Sequence, residues 1–249
     1  MRYVIIFCIA GIIVGCHSTK NNAFITDLQQ DNVNGAAMKI ITKTYLVKNG
    51  VNELSQTIID DFNRDGLVTQ DSIIDTNKQL TLNKFIYEKG NLKEIQTFLD
   101  GKQNGTTAFE YDINGNLKSV KELDSDAKLT QYYNKITLNH FGLLTSTYSF
   151  DNKGKMTAYI ENHYKGTQRI RGFTKNENST TIYRFNISLN QMQDPISLQE
   201  YSNTDGITKS KKFTYSYGKL DSQKNWGEQI TYVDKKPFQI TRRVISYYN

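Results

Sequence analysis

Cysteine is scarce in this sequence: of 249 residues only Cys8 and Cys16 are cysteines, and both lie at the N-terminal end. The chain after Cys16 therefore has no thiol, which excludes a disulfide framework, a cysteine-based zinc site and a catalytic cysteine from that part. Its stability must come from backbone pairing and packing alone.

Histidine is almost as sparse, with only His17, His140 and His163 in the chain. These three residues offer very little material for a catalytic triad. Asp and Glu concentrate in turn-like segments, so a carboxylate pair for glycoside hydrolysis stays open but is not favoured. We therefore expect no enzymatic activity, no metal site and no cofactor.

One acidic stretch nevertheless has the spacing of a calcium ligand set. Asp61, Asn63 and Asp65 alternate before Gly66, as in the first half of an EF-hand loop. The twelfth position of such a loop would be Ser72, where a bidentate Glu is required, and no flanking helices are expected. The stretch is therefore interpreted as a hairpin turn, in which Asp and Asn side chains bond their own backbone.

The sequence also has no apolar run that is long enough to cross a bilayer comfortably. The run at residues 3–15, YVIIFCIAGIIVG, follows the basic Arg2 and ends at Cys16, which is typical of a secretory signal. The residues at the break, Ile13-Val14-Gly15-Cys16, resemble the lipobox of bacterial lipoproteins. This resemblance implies cleavage before Cys16 and acylation of that cysteine; an ordinary signal peptide or an uncleaved anchor is the alternative.

The resemblance divides the chain into three parts. We expect residues 1–15 to be the lipoprotein signal peptide and 16–36 to be the lipidated N-terminus with a flexible polar tether, while the pattern described below predicts a β domain over 37–249. It implies a cell-envelope protein held in the outer membrane by its lipid. The polar residues that follow Cys16 lack the acidic cluster seen in surface-export signals of some Bacteroidetes lipoproteins, which favours a periplasm-facing location.

No window shows a sustained apolar stripe at helical spacing. Instead, clusters of Asn, Asp and Gly recur about every 10 to 14 residues, and the runs between them alternate in polarity, as antiparallel strands joined by hairpins do. Sixteen Tyr, twelve Phe and only two Pro are typical of a β protein. The pattern predicts an all-β antiparallel meander of about 14 to 18 strands. It also places four glycines at positive-φ turn positions, namely Gly66, Gly115, Gly154 and Gly206.

Two turn phrases carry a further resemblance. Residues 109–117, FEYDINGNL, and 150–156, FDNKGKM, resemble the YD repeat of Rhs-type proteins. The C-terminal segment from Asn225 and Trp226 to the ending ITRRVISYY is similar to that of YD-repeat lipoproteins from Bacteroidetes-like bacteria, although its turns at 224–227 and 234–237 depart from the pattern. The resemblance covers about residues 40–249 and implies a ladder of hairpins. With this number of strands, the implied form is a curved open sheet or a partial barrel.

Positive charge is concentrated in the C-terminal part of the chain. Residues 151–249 contain 16 Lys and Arg against 9 Asp and Glu, whereas residues 16–150 contain 14 against 16. Strict alternation would place Arg169 and Arg171 on one outer face with Arg184 and Lys211, while Tyr and Phe pack inside. The alternative is that these cations only keep the sheet soluble. The predicted binding residues are Tyr164, Arg169, Arg171, Arg184, Lys211 and Trp226.

These observations leave two function classes. The favoured hypothesis is a membrane-anchored, non-catalytic scaffold that binds a glycan or another envelope component, with an anionic glycan or an acidic protein as the possible partner. The alternative is a protein-interaction or immunity-type lipoprotein that neutralises a toxin. Nucleic acid is not expected as a partner of an exported lipoprotein.

Overall fold

The computed structural model of the protein describes residues 26–204 and 206–249. Over these residues the chain forms one short helix, α1 (Asp27–Gln30), followed by sixteen consecutive β-strands. The strands are β1 (Ala37–Lys48), β2 (Val51–Phe62), β3 (Val68–Asp75), β4 (Leu80–Glu88), β5 (Asn91–Leu99), β6 (Lys102–Tyr111), β7 (Leu117–Asp124), β8 (Leu129–Leu138), β9 (Leu144–Asp151), β10 (Met156–Lys165), β11 (Gln168–Asn176), β12 (Thr181–Leu189), β13 (Pro195–Thr204), β14 (Ile207–Tyr217), β15 (Glu228–Val233) and β16 (Lys236–Tyr247). In these ranges no helix has the length and apolar character that a membrane crossing requires. The predicted signal peptide and Cys16 lie outside the described residues and stay predictions.

The strands form a closed barrel. Each strand pairs antiparallel with its neighbours in the chain, and β1 also pairs with β16, from Lys39 opposite Ser246 to Leu46 opposite Gln239. The predicted all-β meander and its strand number are confirmed, but the prediction of a curved open sheet or partial barrel is wrong. The physical reason is that the first and last strands, both twelve residues long, pair with each other along most of their length. Their edge N–H and C=O groups are thereby satisfied without an open edge.

Nine of the hairpins share one turn geometry, which explains the recurring phrase. The first turn residue is always Asp or Asn, and its side-chain oxygen accepts the backbone N–H groups of the residues two and four positions ahead. The fourth turn residue has a positive φ. The nine turns begin at Asn63, Asp75, Asp112, Asp124, Asn139, Asp151, Asn176, Asn190 and Asp221. Asn63, in the calcium-like stretch, is thus the capping residue of one of these turns.

The predicted turn glycines are confirmed. Gly66, Gly115, Gly154 and Gly206 have φ values of 78°, 79°, 81° and 79°. At this φ a Cβ would crowd the following carbonyl oxygen, so glycine is the residue that adopts it at least cost.

Tyrosines near the ends of four strands connect neighbouring strands at the same end of the barrel. In each case the hydroxyl donates a hydrogen bond of 2.6–2.9 Å to a backbone carbonyl near the start of the preceding strand. The donor and acceptor pairs are Tyr87 and Val68, Tyr111 and Leu92, Tyr164 and Leu144, and Tyr217 and Pro195. In the phrase Tyr111-Asp112, the tyrosine therefore ties two strands together and the aspartate caps the turn.

The inner face of the barrel is identified by its most buried side chains. Phe109, Val120 and Tyr133 lie opposite one another on β6, β7 and β8, and all three are buried. Residues that are directly opposite across an antiparallel pair share a face. The register therefore assigns the remaining residues to the inside or the outside of the barrel. Where a bulge inserts one residue, the alternation of side chains between the two faces reverses. The outer face is mixed in polarity.

The segment before β1 crosses one mouth of the barrel and forms a plug, defined here as residues 26–36. Its side chains and backbone bond to four of the turns around that mouth, including turns on opposite sides. The bonds join Leu28 N–H to the Gly66 carbonyl (3.3 Å), Gln168 Nε2 to the Gln30 carbonyl (2.9 Å), Asn32 Nδ2 to Asp194 Oδ1 (2.9 Å), and Asn225 Nδ2 to the Asn34 carbonyl (2.9 Å). The described part of the predicted flexible tether is therefore a packed element, because its polar groups find partners on the turns.

We expect Gly115→Val to destabilise the protein by about 1 to 2 kcal/mol, since a β-branched residue at positive φ is strained. Asn114→Val is the matched control, because it changes the neighbouring turn residue without requiring a positive φ, and it should cost under about 0.5 kcal/mol. Denaturant unfolding of both variants measures the difference. Equal stability of the two would mean that the turn does not depend on this φ.

The plug also predicts a pH dependence. Asp27 is 5% exposed, and its Oδ2 accepts the Val68 N–H at 2.6 Å. Its Oδ1 has no hydrogen-bond partner among the described residues. Burial, with a smaller contribution from Asp31, raises the pKa of Asp27 to about 7. The folded state therefore holds a proton that the unfolded state has lost above about pH 4, so this group's contribution to stability falls as pH rises from about 4 to 7.

Asp27→Asn keeps an acceptor for Val68 and removes this titration. Relative to the wild type, the variant should be more stable at pH 8 than at pH 5, with a difference between the two pH values on the order of 3 kcal/mol. Thermal unfolding at both pH values checks this. A variant whose stability relative to the wild type is the same at both would contradict the assignment.

Candidate binding site

The structure separates the two arginines that alternation places on one face. Arg171 lies opposite His163 and Arg169 lies opposite Tyr164, so Ile170 is an extra residue on β11 and the strand contains a bulge. Arg171 is exposed on the outer wall, whereas the Arg169 guanidinium lies 4.9 Å from the centre of the inward-facing, buried Phe185 ring. The predicted common outer face of Arg169 and Arg171 is therefore wrong, because the bulge reverses the alternation between them.

The other predicted residues also divide between surfaces. Arg184 is on the outer wall and stacks on Tyr201 at 4.1 Å. Lys211 is on the inner face opposite Glu200, so its predicted place on the outer face is wrong as well. Tyr164 is also an inner-face residue, and its hydroxyl is bonded to the Leu144 carbonyl.

Trp226 belongs to neither wall. It lies in the β14–β15 connection at the plugged mouth, where the Arg243 guanidinium is 3.5 Å from the centre of its ring and Arg243 Nε donates to its carbonyl. Its ring also packs 5.6 Å from Tyr217. Trp226 is half-buried in this arrangement, so its visible role is to pack the connection against the barrel.

A row of aromatic rings crosses the outer wall between β9 and β11. The Tyr148 and Tyr159 ring centres are 4.9 Å apart, and the Tyr159 and Phe173 ring centres are 6.0 Å apart. Lys135 Nζ lies 5.0 Å from the Tyr148 ring and Lys175 Nζ lies 5.2 Å from the Phe173 ring, so a lysine lies at each end of the row of rings. We call these five residues the outer stripe. Ring separations of this size are those of favourable aromatic pairs.

A charged group lies beside the outer stripe on β10 and β11. Glu161 accepts a hydrogen bond from the Tyr159 hydroxyl at 2.8 Å, and its other oxygen is 2.8 Å from His163 Nε2. An Arg171 guanidinium nitrogen is 3.5 Å from the same His163 nitrogen. Burial and the bond to Glu161 raise the pKa of Tyr159, so this hydroxyl keeps its proton, and its bond to Glu161, to a higher pH than an ordinary tyrosine. The group therefore places a carboxylate and a guanidinium on either side of His163, within a few ångströms of each other.

An open cleft of about 460 Å³ adjoins the outer stripe. Its floor is formed by β9 and β10, and its walls by the β8–β9 turn and the β10–β11 turn. The lining residues are Asn139, His140, Phe141, Thr145, Ser146, Tyr159, Glu161, Asn162, His163, Tyr164 and Gly166. Its volume lies within the range typical of small-ligand sites. The cleft and the outer stripe share Tyr159, so a ligand in the cleft would extend along the ring row.

Sequence reasoning missed the centre of this site. Tyr148, Tyr159 and Glu161 were not among the predicted binding residues, although Tyr159-x-Glu161-x-His163 has the period-two spacing that sends all three side chains to one face. That spacing was a usable signal. Tyr148 lies opposite Tyr159 because of the register between β9 and β10, and this register cannot be predicted from the spacing of residues within one strand.

No protein-family profile matches the sequence, and a comparison with curated proteins gives no match. Solved structures that align with the chain include a porin-like protein from Bacteroides uniformis ATCC 8492, with 11% identity, a TM-score of 0.43, and coverage of 86% of this chain and 98% of that one. A porin-like protein from Bacteroides vulgatus ATCC 8482 has 12% identity, a TM-score of 0.35, and coverage of 85% and 98%. The TcdB2-TccC3-Cdc42 structure has 9% identity, a TM-score of 0.22, and coverage of 80% of this chain and 14% of that one. At these TM-scores the alignments carry no argument about this chain.

Because Arg169 and Arg171 lie on different faces of the wall, their substitution should have different effects on stability. Arg169→Glu should destabilise the protein by about 1 to 3 kcal/mol, because it removes the contact with Phe185 and places a carboxylate on the inner wall beside Tyr164 and Tyr183. Arg171→Glu is the matched control on the outer wall and should change stability by less than about 0.5 kcal/mol. Thermal unfolding of both variants tests this, and equal effects would contradict the bulge.

Proposed function

We propose that the protein is a membrane-tethered, non-catalytic binding protein that holds an acidic glycan on its outer stripe and in the adjoining cleft. The observation that carries the proposal is the row of half-buried rings on the outer wall, beside a cleft with fixed polar groups. Rings of this kind offer broad apolar faces on which the C–H face of a sugar ring can pack.

The polar groups beside the stripe supply orientation. Glu161 can accept hydrogen bonds from sugar hydroxyl groups, and Arg171 can pair with a carboxylate or sulfate on the glycan. Lys135 and Lys175 add positive charge at the two ends of the stripe. This arrangement favours an acidic glycan over a neutral one, and its charged contacts are open to screening by salt.

The composition of the outer wall supports an aqueous setting for the barrel. Charged side chains such as Lys43, Lys121, Arg171, Lys212 and Arg242 point outward from strands around the whole circumference. A Lys or Arg that faces hydrocarbon near the middle of a bilayer costs about 2 to 4 kcal/mol. The proposed attachment to the membrane is therefore the lipid on Cys16, with the barrel in water beside it.

The proposal predicts that Tyr148→Ala and Tyr159→Ala each lower affinity for an acidic glycan about tenfold or more, because each removes a packing face at the centre of the site. Tyr45→Ala is the matched control. Tyr45 is an outer-wall tyrosine on β1 with the Arg242 guanidinium 5.5 Å from its ring, but it lies on the other side of the barrel. Binding of the detergent-solubilised protein to an array of acidic and neutral glycans measures these effects.

Arg171→Glu should weaken binding to acidic glycans and leave any binding to neutral glycans nearly unchanged. The wild-type affinity for acidic glycans should also fall as salt rises above physiological strength. Equal losses for Tyr45→Ala and Tyr159→Ala would refute the outer stripe as the site. If the protein binds no glycan on the array but the same preparation captures an envelope protein, the glycan proposal is wrong and the protein-interaction hypothesis replaces it.

A further inference from the structure

The turns around the plugged mouth carry large apolar side chains at their tips. Ile113 in the β6–β7 turn is fully exposed, Met192 in the β12–β13 turn is 42% exposed, and Leu220 in the β14–β15 connection is 44% exposed. We propose that these tips form a lipid-contacting rim, which seats the plugged mouth of the barrel on the surface of the bilayer. The proposal rests on the membrane tether of the proposed function, but not on glycan binding.

The apolar tips are not explained by the turns themselves. In the Ile113 turn the capping bonds are made by Asp112, which accepts the N–H groups of Asn114 and Asn116. In the Met192 turn the same role belongs to Asn190, which accepts the N–H groups of Met192 and Asp194. The Met192 backbone carbonyl in turn accepts a hydrogen bond from Asn32. Neither side chain contributes to these bonds, so a polar residue would serve the turn equally well.

Lysines accompany the apolar tips on the same rim. Lys89, Lys165, Lys219 and Lys224 are exposed in or next to the turns of the plugged mouth. Apolar side chains that enter the acyl boundary, flanked by lysines that reach the head groups, are the composition with which peripheral proteins contact anionic bilayers. Asp65, Glu88, Asp112 and Asp221 are exposed at the same mouth, so the rim has little net charge. The apolar tips therefore carry the contact with lipid, and the lysines beside them can reach the head groups.

The path of the chain gives an independent reason for this orientation. Thr26 lies at the plugged mouth, where its side chain is 3.2 Å from the position that a Cβ on Gly66 would take. Ten residue steps separate Thr26 from Cys16, and a fully extended chain covers at most about 3.6 Å per residue. The tether thus holds this mouth within about 36 Å of the acylated residue.

The opposite mouth has a different composition at its turn tips. There, the residues that occupy the two-residue turns include Asn49, Gly50, Asp100, Gly101 and Asp234, all of them polar or glycine. Val51 and Ile207 are exposed near that mouth, but they are the first residues of β2 and β14 and follow the turns. The four shared turns of that mouth, at 75–78, 124–127, 151–154 and 176–179, contain no large apolar residue, whereas Ile113 and Met192 lie within shared turns of the plugged mouth.

The test compares matched turn positions at the two mouths. The mature chain has no cysteine besides the proposed acylation site, so single cysteines can be labelled with a fluorophore. Ile113→Cys is matched by Thr76→Cys and Asn152→Cys, which occupy the same second position of the shared turn at the opposite mouth. Met192→Cys is matched by Lys153→Cys, which occupies the same third position. Each variant of the full chain is produced in a lipoprotein-processing host, labelled, and reconstituted into vesicles containing an anionic lipid and a lipid with a quencher on its acyl chain.

We expect the lipid-borne quencher to reduce fluorescence at positions 113 and 192 at least twofold more than at positions 76, 152 and 153, and iodide in the water to give the reverse order. Equal quenching at both mouths by a protein that remains in the vesicles would overturn the rim while leaving the tether intact. Failure of the acylated chain to enter the vesicles would overturn both. The glycan site is separate, because Tyr159→Ala should leave the quenching pattern unchanged.

Discussion

Pairing between β1 and β16 is the interaction on which the rest of the structure depends. It joins Ile40 to Ile245 and Thr44 to Thr241, pairs that are about 200 residues apart in the chain, and it turns a two-faced sheet into a wall with an inside and an outside. An open sheet of this composition would expose two long edges with unpaired backbone groups. Closure satisfies both edges at once. Because the contact is so distant in sequence, its formation requires all intervening hairpins to be in register.

The turns provide that register. A side-chain cap at the first position and a positive φ at the fourth fix the relative positions of the two strands that each turn connects. The tyrosine hydrogen bonds, such as that between Tyr111 and Leu92, add a second constraint, between the strand that enters the turn and the strand before it. The same short phrase therefore recurs because the chain must repeatedly turn and align each strand with the one before it around the barrel.

These local features are what could be predicted from the sequence. The turn at Asp112 to Asn116 and the φ of Gly115 depend on residues within five positions of one another, so the phrase itself contains the information. The bulge at Ile170 depends on how β11 meets β10, and it inverts Arg169 without any local mark in the sequence. The closure of the barrel, the packing of the plug and the stacking of Tyr148 on Tyr159 are likewise decided by partners that are distant in the chain or by register. For this reason the strand content was predictable, whereas the membership of the candidate site was only partly so.

The bonds of the plug have a mechanical consequence. If the chain joined β1 directly, a pull on its N-terminal end would act on the first hydrogen bonds of a single strand and peel that strand from its neighbours one bond at a time. Because residues 28–34 are bonded to turns on opposite sides of the mouth, the same pull is distributed over several hairpins in parallel. Bonds that are loaded together resist a given force better than bonds that are loaded in sequence. The plug therefore protects the pairing of β1 with its neighbours from a force that is applied at the N-terminal end of the chain.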